Sequence, residues 1–273
     1  MPIQVNSQSE LIREPNLTIP RQIPVGPVKV DFSHPIAKGC HGFFLGRDAG
    51  SAMMPNYAAP AHTLVPRISG LGTAAPVTET SEFGMVYDSS ADELGCYRDP
   101  DQHNSWWKPT IRLTYMCQFK LFSHQSAGGT PMSRADTSNG AYTYTSFKIY
   151  SSSIVWYYKD SGNSQRSCSS SIALTLNKWY TIAGIVGSND QVGVAGLYLD
   201  GIEIAEVETG PSGITSDSSA ENTHFRLSCG HLDDTTRAFD GQIAWAGMWY
   251  NRALHGNEIL ELDRDPYQIL IPA

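Results

Sequence analysis

Apolar runs separated by turn residues fill the last third of the chain, and this pattern limits the fold more than any other sequence feature. The run from Trp179 to Val186 is apolar on both faces, which is typical of a strand between packed layers. Asp200-Gly201 stands between two further apolar runs and indicates a type I′ hairpin, because both turn residues must adopt positive φ. Residues 258–262 predict a short helix that ends at Asp265-Pro266.

Other strands are predicted along most of the chain. The segment from Ile243 to Tyr250 predicts a strand with Ile243, Trp245 and Trp249 on one face. The segment from Thr110 to Phe122 alternates apolar and polar residues, so its polar side is expected to face solvent. Further strands are predicted at residues 83–87, 142–150, 154–158, 172–176 and 225–229. Closely spaced strands without intervening helices predict an all-β chain, folded as a two-sheet antiparallel sandwich.

The order of these pieces resembles the laminin-G-like, or concanavalin A-like, jelly roll. In that superfamily a tryptophan-bearing strand precedes an LYLDG hairpin, which is found here at residues 197–201. An FDGxI strand, a YNRAL segment and a short Glu-Ile helix follow, here at residues 239–243, 250–254 and 258–259. The resemblance covers roughly residues 83–272 and implies a jelly-roll fold. The superfamily includes glycoside hydrolases, so enzymatic activity has to be considered.

The chain is predicted to consist of an arm and one domain. Residues 1–38 form an extended Pro-rich N-terminal arm, because their prolines are too closely spaced for a helix or a central strand. The arm has no core of its own, so it is expected to lie along this domain, lie on a partner chain or stay mobile. Residues 39–273 form the LamG-like jelly-roll domain, and its loop-rich entry spans residues 39–80. Phe43-Phe44-Leu45 starts the first strand, and residues 49–80 are expected to be a long loop with one or two short edge strands.

Two short segments near the ends of the chain resemble jelly-roll proteins of bacteriophages and prophages. Residues 25–31 and 33–39 read Val-Gly-Pro-Val-Lys-Val-Asp and Ser-His-Pro-Ile-Ala-Lys-Gly, which resembles the leader of those proteins. Residues 265–272 read Asp-Pro-Tyr-Gln-Ile-Leu-Ile-Pro, which resembles their ending. Together the two segments imply a structural protein of a phage particle.

Charge and composition argue against several classes of partner. The net charge is −8 and no basic run is present, so no nucleic-acid partner is expected. No apolar run reaches the roughly 18 residues of a membrane-spanning helix, so no membrane is expected either. The first residues lack the pattern of a signal peptide. The 5 cysteines are widely spaced without a CxxC pair, which favours reduced thiols and synthesis in a cytoplasm.

The sequence predicts no enzyme and no catalytic residues. Glycosidases of this superfamily carry Glu-x-Asp-x-x-Glu, and the closest match, Glu261-Leu262-Asp263, lacks the second Glu and lies in the terminal helix. Glu203 and Glu206 are separated by three positions, which is expected to place them on opposite faces of a strand. Neither a Gly-x-Ser-x-Gly elbow nor an HExxH zinc motif is present.

Carbohydrate binding remains the main alternative to a purely structural role. The adjacent tryptophans Trp106 and Trp107 lie in a polar stretch with Asp101 and Asn104, and such residues can stack on a sugar ring and bind its hydroxyls. Tyr157 is a further candidate, because strand alternation places it opposite to its two aromatic neighbours. Each of these aromatics can equally well have a structural role. No cofactor is predicted, and no spacing requires Ca²⁺, although loop acids could help to hold it: Asp217, Glu221, Asp233 and Asp234.

The combined prediction is a non-enzymatic structural protein of a bacteriophage virion, made in the host cytoplasm, as a capsid decoration, tail or fibre component. Its arm, residues 1–38, is expected to bind other virion proteins, and the outward jelly roll is available for cell-surface glycans. The alternative is a free bacterial or prophage carbohydrate-binding module. Whether copies of the chain form a homo-oligomer stays open.

Overall fold

The fold is a two-sheet antiparallel sandwich with one outer face covered by the two ends of the chain. The computed structural model describes residues 23–49, 53–68, 77–89, 95–100, 112–136, 143–159, 165–187, 194–208, 223–228 and 239–273. A short helix, Gly256–Arg264, lies near the C-terminus. The predicted all-β jelly-roll sandwich is therefore confirmed. Within these ranges no helix has the length and apolar character needed to cross a bilayer.

Within the described ranges, fifteen strands build the two sheets of the sandwich. The eight-stranded sheet contains, in spatial order, β14 (Ile202–Glu208), β13 (Val194–Leu199), β12 (Trp179–Val186), β7 (Leu113–Leu121), β16 (Gly241–Tyr250), β5 (Gly84–Ser89) and β4 (Val77–Ser81), with β2 (Cys40–Leu45) also paired to β16. The seven-stranded sheet contains β11 (Gln165–Ser170), β10 (Ile154–Lys159), β9 (Thr143–Ile149), β8 (Met132–Asp136), β15 (Thr223–Leu227), β6 (Gly95–Arg98) and β3 (Val65–Ile68). As expected for the entry region, the short strands β3 and β4 lie at sheet edges.

The first core lies between the two sheets and is rich in aromatic side chains. Phe44 stacks on Phe225 with ring centroids 5.6 Å apart, and Phe147 lies 4.7 Å from Trp156. Cysteines in the described residues are buried free thiols: Cys40, Cys96, Cys117 and Cys168. Burial, and secondarily the charges of nearby glutamates, raise the pKa of the Cys168 thiol to about 11. Cys229 lies outside the described residues.

A second core covers the outer face of the eight-stranded sheet. The polar side of the predicted 110–122 strand was expected to face solvent, and this expectation is wrong: Thr114 and Met116 are 0% exposed and Gln118 is 3% exposed. The cover comes from both ends of the chain, with these buried side chains: Ile23, Val28, Val30, Ile36, Ile259, Leu262, Tyr267 and Ile269. The alternation correctly predicted the two faces of the strand. It does not show whether a face contacts water or is covered by a segment distant in the sequence.

The two ends of the chain are joined to each other. The head strand β1 (Val28–Val30) pairs antiparallel with the tail strand β17 (Leu270–Pro272). Trp249 of β16 donates its indole N–H to the carbonyl oxygen of Ile36 at 2.8 Å. Residues 23–38 of the predicted arm therefore lie along their own domain, whereas residues 1–22 are outside the described ranges.

β-Bulges change the faces on which some predicted side chains lie. In β16 the register shifts between Ile243 and Trp245, so Ile243 points into the first core while Trp245 and Trp249 point into the second. The prediction that all three share a face is therefore wrong, because the extra residue of a bulge reverses the alternation.

A second bulge corrects the placement of Glu203 and Glu206. The register shifts between Leu197 and Tyr198, and Glu203 then lies opposite Tyr198 while Glu206 lies opposite Gly196. Tyr198 and Gly196 are two positions apart on β13, so both glutamates share one face rather than opposite faces. Their side chains are hydrogen-bonded to each other.

One predicted strand was misplaced by a few residues. The edge strand is β11, Gln165–Ser170, and residues 172–176 form no strand. Only Cys168 of β11 is buried, which is sufficient for an edge strand whose other residues face solvent. Ile172 and Leu174 do pack on the first core, so their alternation marked burial rather than strand pairing.

Candidate functional site

A pocket opens on the outer face of the eight-stranded sheet, beside the region covered by the two ends of the chain. Its cavity volume is about 230 Å³. It is lined by Phe83, Gln118, Lys178, Trp179, Tyr180, Thr181, Asp200 and Asp263. Ligand pockets for drug-sized molecules usually measure roughly 300–1,000 Å³, so this pocket suits a smaller unit, such as one sugar ring.

Trp179 supplies an aromatic wall of the pocket. It is the first residue of β12 and only partly buried, because the chain enters the sheet there from an exposed turn. The Phe83 ring packs edge-on against it with centroids 5.2 Å apart, which fixes the indole plane. Lys120 lies directly opposite Trp179 in the strand register, and its Nζ is 5.8 Å from the centre of the Trp179 ring.

The floor of the pocket carries polar atoms without hydrogen-bond partners. Gln118 projects from β7 and is 3% exposed, and its Oε1 accepts no hydrogen bond. The indole N–H of Trp179 is also buried and unpartnered. A buried polar atom without a partner costs about 1–3 kcal/mol. A ligand rich in hydroxyl groups could supply the missing donor and acceptor.

Two carboxylates also line the pocket, where the β13–β14 turn meets the C-terminal helix. Asp200 and Gly201 both have positive φ, 50° and 76°, as predicted for a type I′ turn. The backbone N–H of Thr181 donates to Oδ1 of Asp200 at 2.9 Å, which orients this carboxylate. Gly201 packs so closely under the helix that a Cβ there would lie 2.6 Å from Cδ1 of Leu260 and 3.5 Å from Cβ of Asp263. The turn thus holds Asp200 beside Asp263.

The Glu203 and Glu206 pair lies on the same face of the sheet but outside this pocket. Partial burial raises the pKa of Glu203, and the charge of Glu206 raises it further. Tyr198 is hydrogen-bonded to Glu203, and its pKa rises to about 12 through burial and the two glutamate charges. This trio binds a proton more readily than an isolated carboxylate would.

Most of the sequence-predicted site residues cannot be compared with this pocket. Asp101, Asn104, Trp106 and Trp107 lie outside the described residues. Tyr157 is partly exposed on β10, whose neighbours Trp156 and Tyr158 are buried. It therefore lies on the outer face of the seven-stranded sheet, across the sandwich from the pocket, with Nζ of Lys148 5.2 Å from its ring centre.

The pocket residues were missed at the sequence level because they come from five separate segments. A usable signal existed: Trp179 and Thr181 share one face of a predicted strand, and Gln118 and Lys120 share the polar face of another. Only the strand pairing Thr181 to Gln118 and Trp179 to Lys120 brings these faces together. Among the described residues, no group of three or more His, Cys, Asp or Glu side chains could hold a metal ion.

The two-sheet antiparallel sandwich is a fold of the lectin and glucanase type. Residues 101–260 match the family Laminin_G_3, described as the concanavalin A-like lectin/glucanases superfamily. This match covers more than half of the chain, and the chain belongs to that superfamily. No curated protein matches the sequence.

Solved structures of low sequence identity share the fold. Domain 4 of an extracellular arabinanase from Geobacillus stearothermophilus, solved with arabinotriose, has a TM-score of 0.59 at 13% identity and covers 82% of this chain and 98% of its own. The binding domain of the paraclostridial mosquitocidal protein 1 has a TM-score of 0.59 at 12% identity. Its coverage is 84% of this chain and 52% of that chain. The botulinum neurotoxin serotype G binding domain has a TM-score of 0.55 at 13% identity, with 82% and 50% coverage. The chain thus spans about half the length of the two toxin binding domains, and these likenesses show the fold alone.

Proposed function

We propose that the protein is a non-enzymatic glycan-binding protein whose sugar site is the pocket at Trp179. The observation that carries this proposal is the combination of a partly exposed indole, an unpartnered amide oxygen on Gln118 and two neighbouring carboxylates. An indole face stacks on the apolar face of a sugar, and amide and carboxylate groups bind its hydroxyls. The arabinanase domain solved with arabinotriose supports the same class of ligand.

A binding rather than hydrolytic role is supported by the site itself. Hydrolysis of a glycosidic bond requires an acid kept protonated beside a second carboxylate. Asp263 of the pocket belongs to Glu261-Leu262-Asp263, which lacks the second Glu of the Glu-x-Asp-x-x-Glu pattern carried by glycosidases of this superfamily. Binding without turnover is therefore the expected behaviour, and reducing-end assays on every bound glycan test it. Release of new reducing ends would overturn this part of the proposal.

A glycan array followed by calorimetry on the best ligand tests the site. Trp179→Ala is expected to weaken binding by at least about tenfold, because the stacking surface is lost. Asp263→Asn removes one pocket carboxylate and is also expected to weaken binding, whereas Glu261→Gln, on the exposed side of the same helix, should not. Unchanged binding by both Trp179→Ala and Asp263→Asn would reject the pocket.

The sequence-predicted residues offer a competing location for the same function. Trp106→Ala, Trp107→Ala and Tyr157→Ala belong in the same calorimetry series, with Asp101→Asn and Asn104→Ala as polar partners. If binding is lost in this set and kept in Trp179→Ala, the sugar site lies there instead.

We further propose that the protein is a virion component of a bacteriophage, as a capsid decoration, tail or fibre protein made in the host cytoplasm. The support is the resemblance of residues 25–39 and 265–272 to phage jelly-roll proteins. These segments pair with each other through β1 and β17, so they act as one structural unit. The arm would bind other virion proteins and the jelly roll would meet cell-surface glycans.

Mass spectrometry of purified particles tests the virion role. A fixed stoichiometry of many copies is expected, and particles carrying a variant without residues 1–22 should lose the protein. Residues 23–38 must be kept in that variant, because they belong to the second core. Absence of the chain from particles would favour the alternative, a free bacterial or prophage carbohydrate-binding module.

A further inference from the structure

We propose that the Trp179 pocket selects acidic glycans, and that Lys120 and Lys178 bind the negative group. This inference rests on the proposed glycan-binding function and adds the chemical class of the ligand. The negative group is a carboxylate or a sulfate ester, since an ammonium group binds either as a point charge.

Lys120 is held beside the pocket, and no acidic side chain among the described residues forms an ion pair with it. Its Nζ lies 5.8 Å from the centre of the Trp179 ring and 5.8 Å from that of the Phe122 ring. Such cation–π contacts are worth about 0.5–1 kcal/mol at exposed sites, and they leave the ammonium hydrogens available to an anion. The two rings therefore position the cation without neutralising it.

Lys178, the residue before Trp179, is the second cation at the pocket. It is exposed, lines the pocket and has its Nζ 4.9 Å from the centre of the Tyr180 ring. Within the described part of the chain neither lysine forms an ion pair. Cations elsewhere on the molecule do: Arg252 pairs with Glu258, and Arg47 pairs with Asp48.

The arrangement of charges gives the ligand a direction. Asp200 and Asp263 lie together at the helix side of the pocket and would repel a negative group while accepting hydrogen bonds from hydroxyls. Lys120 lies beside Trp179, and Lys178 lines the pocket next to Tyr180. A sugar stacked on Trp179 would thus present hydroxyls to the carboxylates and its acidic substituent to the lysines.

Because the net charge of the chain is negative, a preference for acidic glycans depends on the two lysines near the pocket. At −8 the protein as a whole repels an anion at long range. Any preference for an acidic glycan must therefore come from short-range contacts with particular cations. Lys120 and Lys178 are the cations positioned at the aromatic wall of the pocket.

Matched neutral and acidic glycans test the inference by calorimetry. The probes are lactose, 3′-sialyllactose and 3′-sulfated lactose, together with the neutral and acidic forms of the best array ligand. The acidic member of the pair that binds is expected to bind about tenfold more tightly, which is the worth of one charge-assisted contact. Carboxylate and sulfate members distinguish the two sources of charge.

Lysine variants assign the selectivity to the pocket. Lys120→Met keeps the aliphatic stem between the two rings, and it should reduce the acidic-to-neutral affinity ratio to near one while neutral binding persists. Lys178→Met, at an exposed position, should reduce the ratio independently of any effect on folding. Lys148→Met is the matched control, because that lysine also lies over an aromatic ring, Tyr157, on the opposite sheet.

Each outcome decides between the two proposals. Equal binding of acidic and neutral glycans, or a ratio unchanged in both Lys120→Met and Lys178→Met, would overturn the acidic preference and leave glycan binding intact. If the acidic-to-neutral affinity ratio falls to one only in Lys148→Met, the selectivity belongs to the other sheet. This result would also overturn the acidic preference of the Trp179 pocket. The absence of binding to any glycan would overturn the proposed function, and the inference with it.

Discussion

The side chain of Arg252 connects the segment around residues 35–38 to the C-terminal helix. Its Nη1 donates to the carbonyl oxygens of Pro35, Ile36 and Lys38 at 2.7, 3.1 and 2.6 Å. Its Nη2 pairs with Glu258 in the first turn of the C-terminal helix. The planar guanidinium offers five donors in a fixed geometry, so a single arginine can satisfy carbonyls and a carboxylate together.

Replacing Arg252 is expected to lower stability more than replacing a typical surface arginine. Arg252→Ala removes the donors to three carbonyls and leaves Glu258 unpaired, so the free energy of unfolding should fall by about 2 kcal/mol. Arg252→Lys should recover only part of this, because an ammonium cannot reproduce the fork. Urea denaturation measures both, with the exposed Arg166→Ala as control. Equal stability of Arg252→Ala and the control would contradict this role.

The β13–β14 turn and the C-terminal helix form a joint that shapes the pocket. Gly201→Ala places a Cβ 2.6 Å from Cδ1 and 3.1 Å from Cα of Leu260 and forces alanine to φ 76°. We expect a loss of about 1–3 kcal/mol in stability, together with weaker ligand binding as Asp200 and Asp263 move apart.

Gly256→Ala is the matched control for this joint. Its added Cβ would meet only the Tyr198 ring at 3.6 Å, an ordinary contact, and alanine favours the helix. Stability should stay the same or rise in thermal denaturation, and binding should be unchanged. Similar losses of stability and binding in both glycine variants would show that the β13–β14 turn does not shape the pocket.

The bulge in the β13–β14 hairpin has a titration signature. Partial burial and the nearby charge of Glu206 raise the pKa of Glu203 above its ordinary value of 4.5. Because the folded state holds this proton more tightly, the contribution of Glu203 to stability is present below pH 4.5 and is lost as the pH rises through the raised pKa. Glu206→Gln removes the like charge and should lower the Glu203 pKa in a carbon-13 NMR titration. If the pKa of Glu203 is unchanged in Glu206→Gln, the two carboxyl groups do not interact as described.

Local signals in the sequence were sufficient for most of the predicted strands, the Asp200-Gly201 hairpin and the terminal helix. These elements depend on alternation and turn chemistry that neighbouring residues carry themselves. The faces of Ile243 and Glu203 were predicted wrongly, because a bulge depends on the partner strand. The pocket was missed for a related reason, since Trp179 and Gln118 meet only through strand pairing and the covering of the outer sheet face.

The outer face of the eight-stranded sheet is where the two chain ends and the candidate site meet. Residues 23–38, called the head, and the C-terminal segment from the helix to β17, called the tail, bury one part of this face. The pocket opens beside them near Phe83. The backbone N–H of Ile23 donates to the carbonyl oxygen of Phe83 at 2.8 Å, so the head contacts the turn that packs on Trp179. Ile23, the first described residue, therefore helps to hold Phe83 in its position against Trp179.

Two truncations separate the structural part of the predicted arm from the remainder. Removing residues 1–38 deletes β1 and several buried apolar side chains, of which the four largest are Ile23, Val28, Val30 and Ile36. Each such side chain contributes about 1.5–3 kcal/mol, against a typical total stability of about 5–15 kcal/mol. The strand β17 also loses its partner, and Arg252 loses its carbonyl acceptors. We therefore expect this variant to aggregate or to unfold at a much lower temperature.

Removing only residues 1–22 leaves every described residue of the second core in place, so we expect no change of the melting temperature in far-ultraviolet circular dichroism. Size-exclusion chromatography of both variants shows whether they stay dispersed. Because the shorter truncation keeps the fold, any loss of particle attachment in it would reflect a missing contact rather than unfolding. A cooperative, unshifted transition after removal of residues 1–38 would show that the head is dispensable for folding, and the second core would then depend on the tail alone.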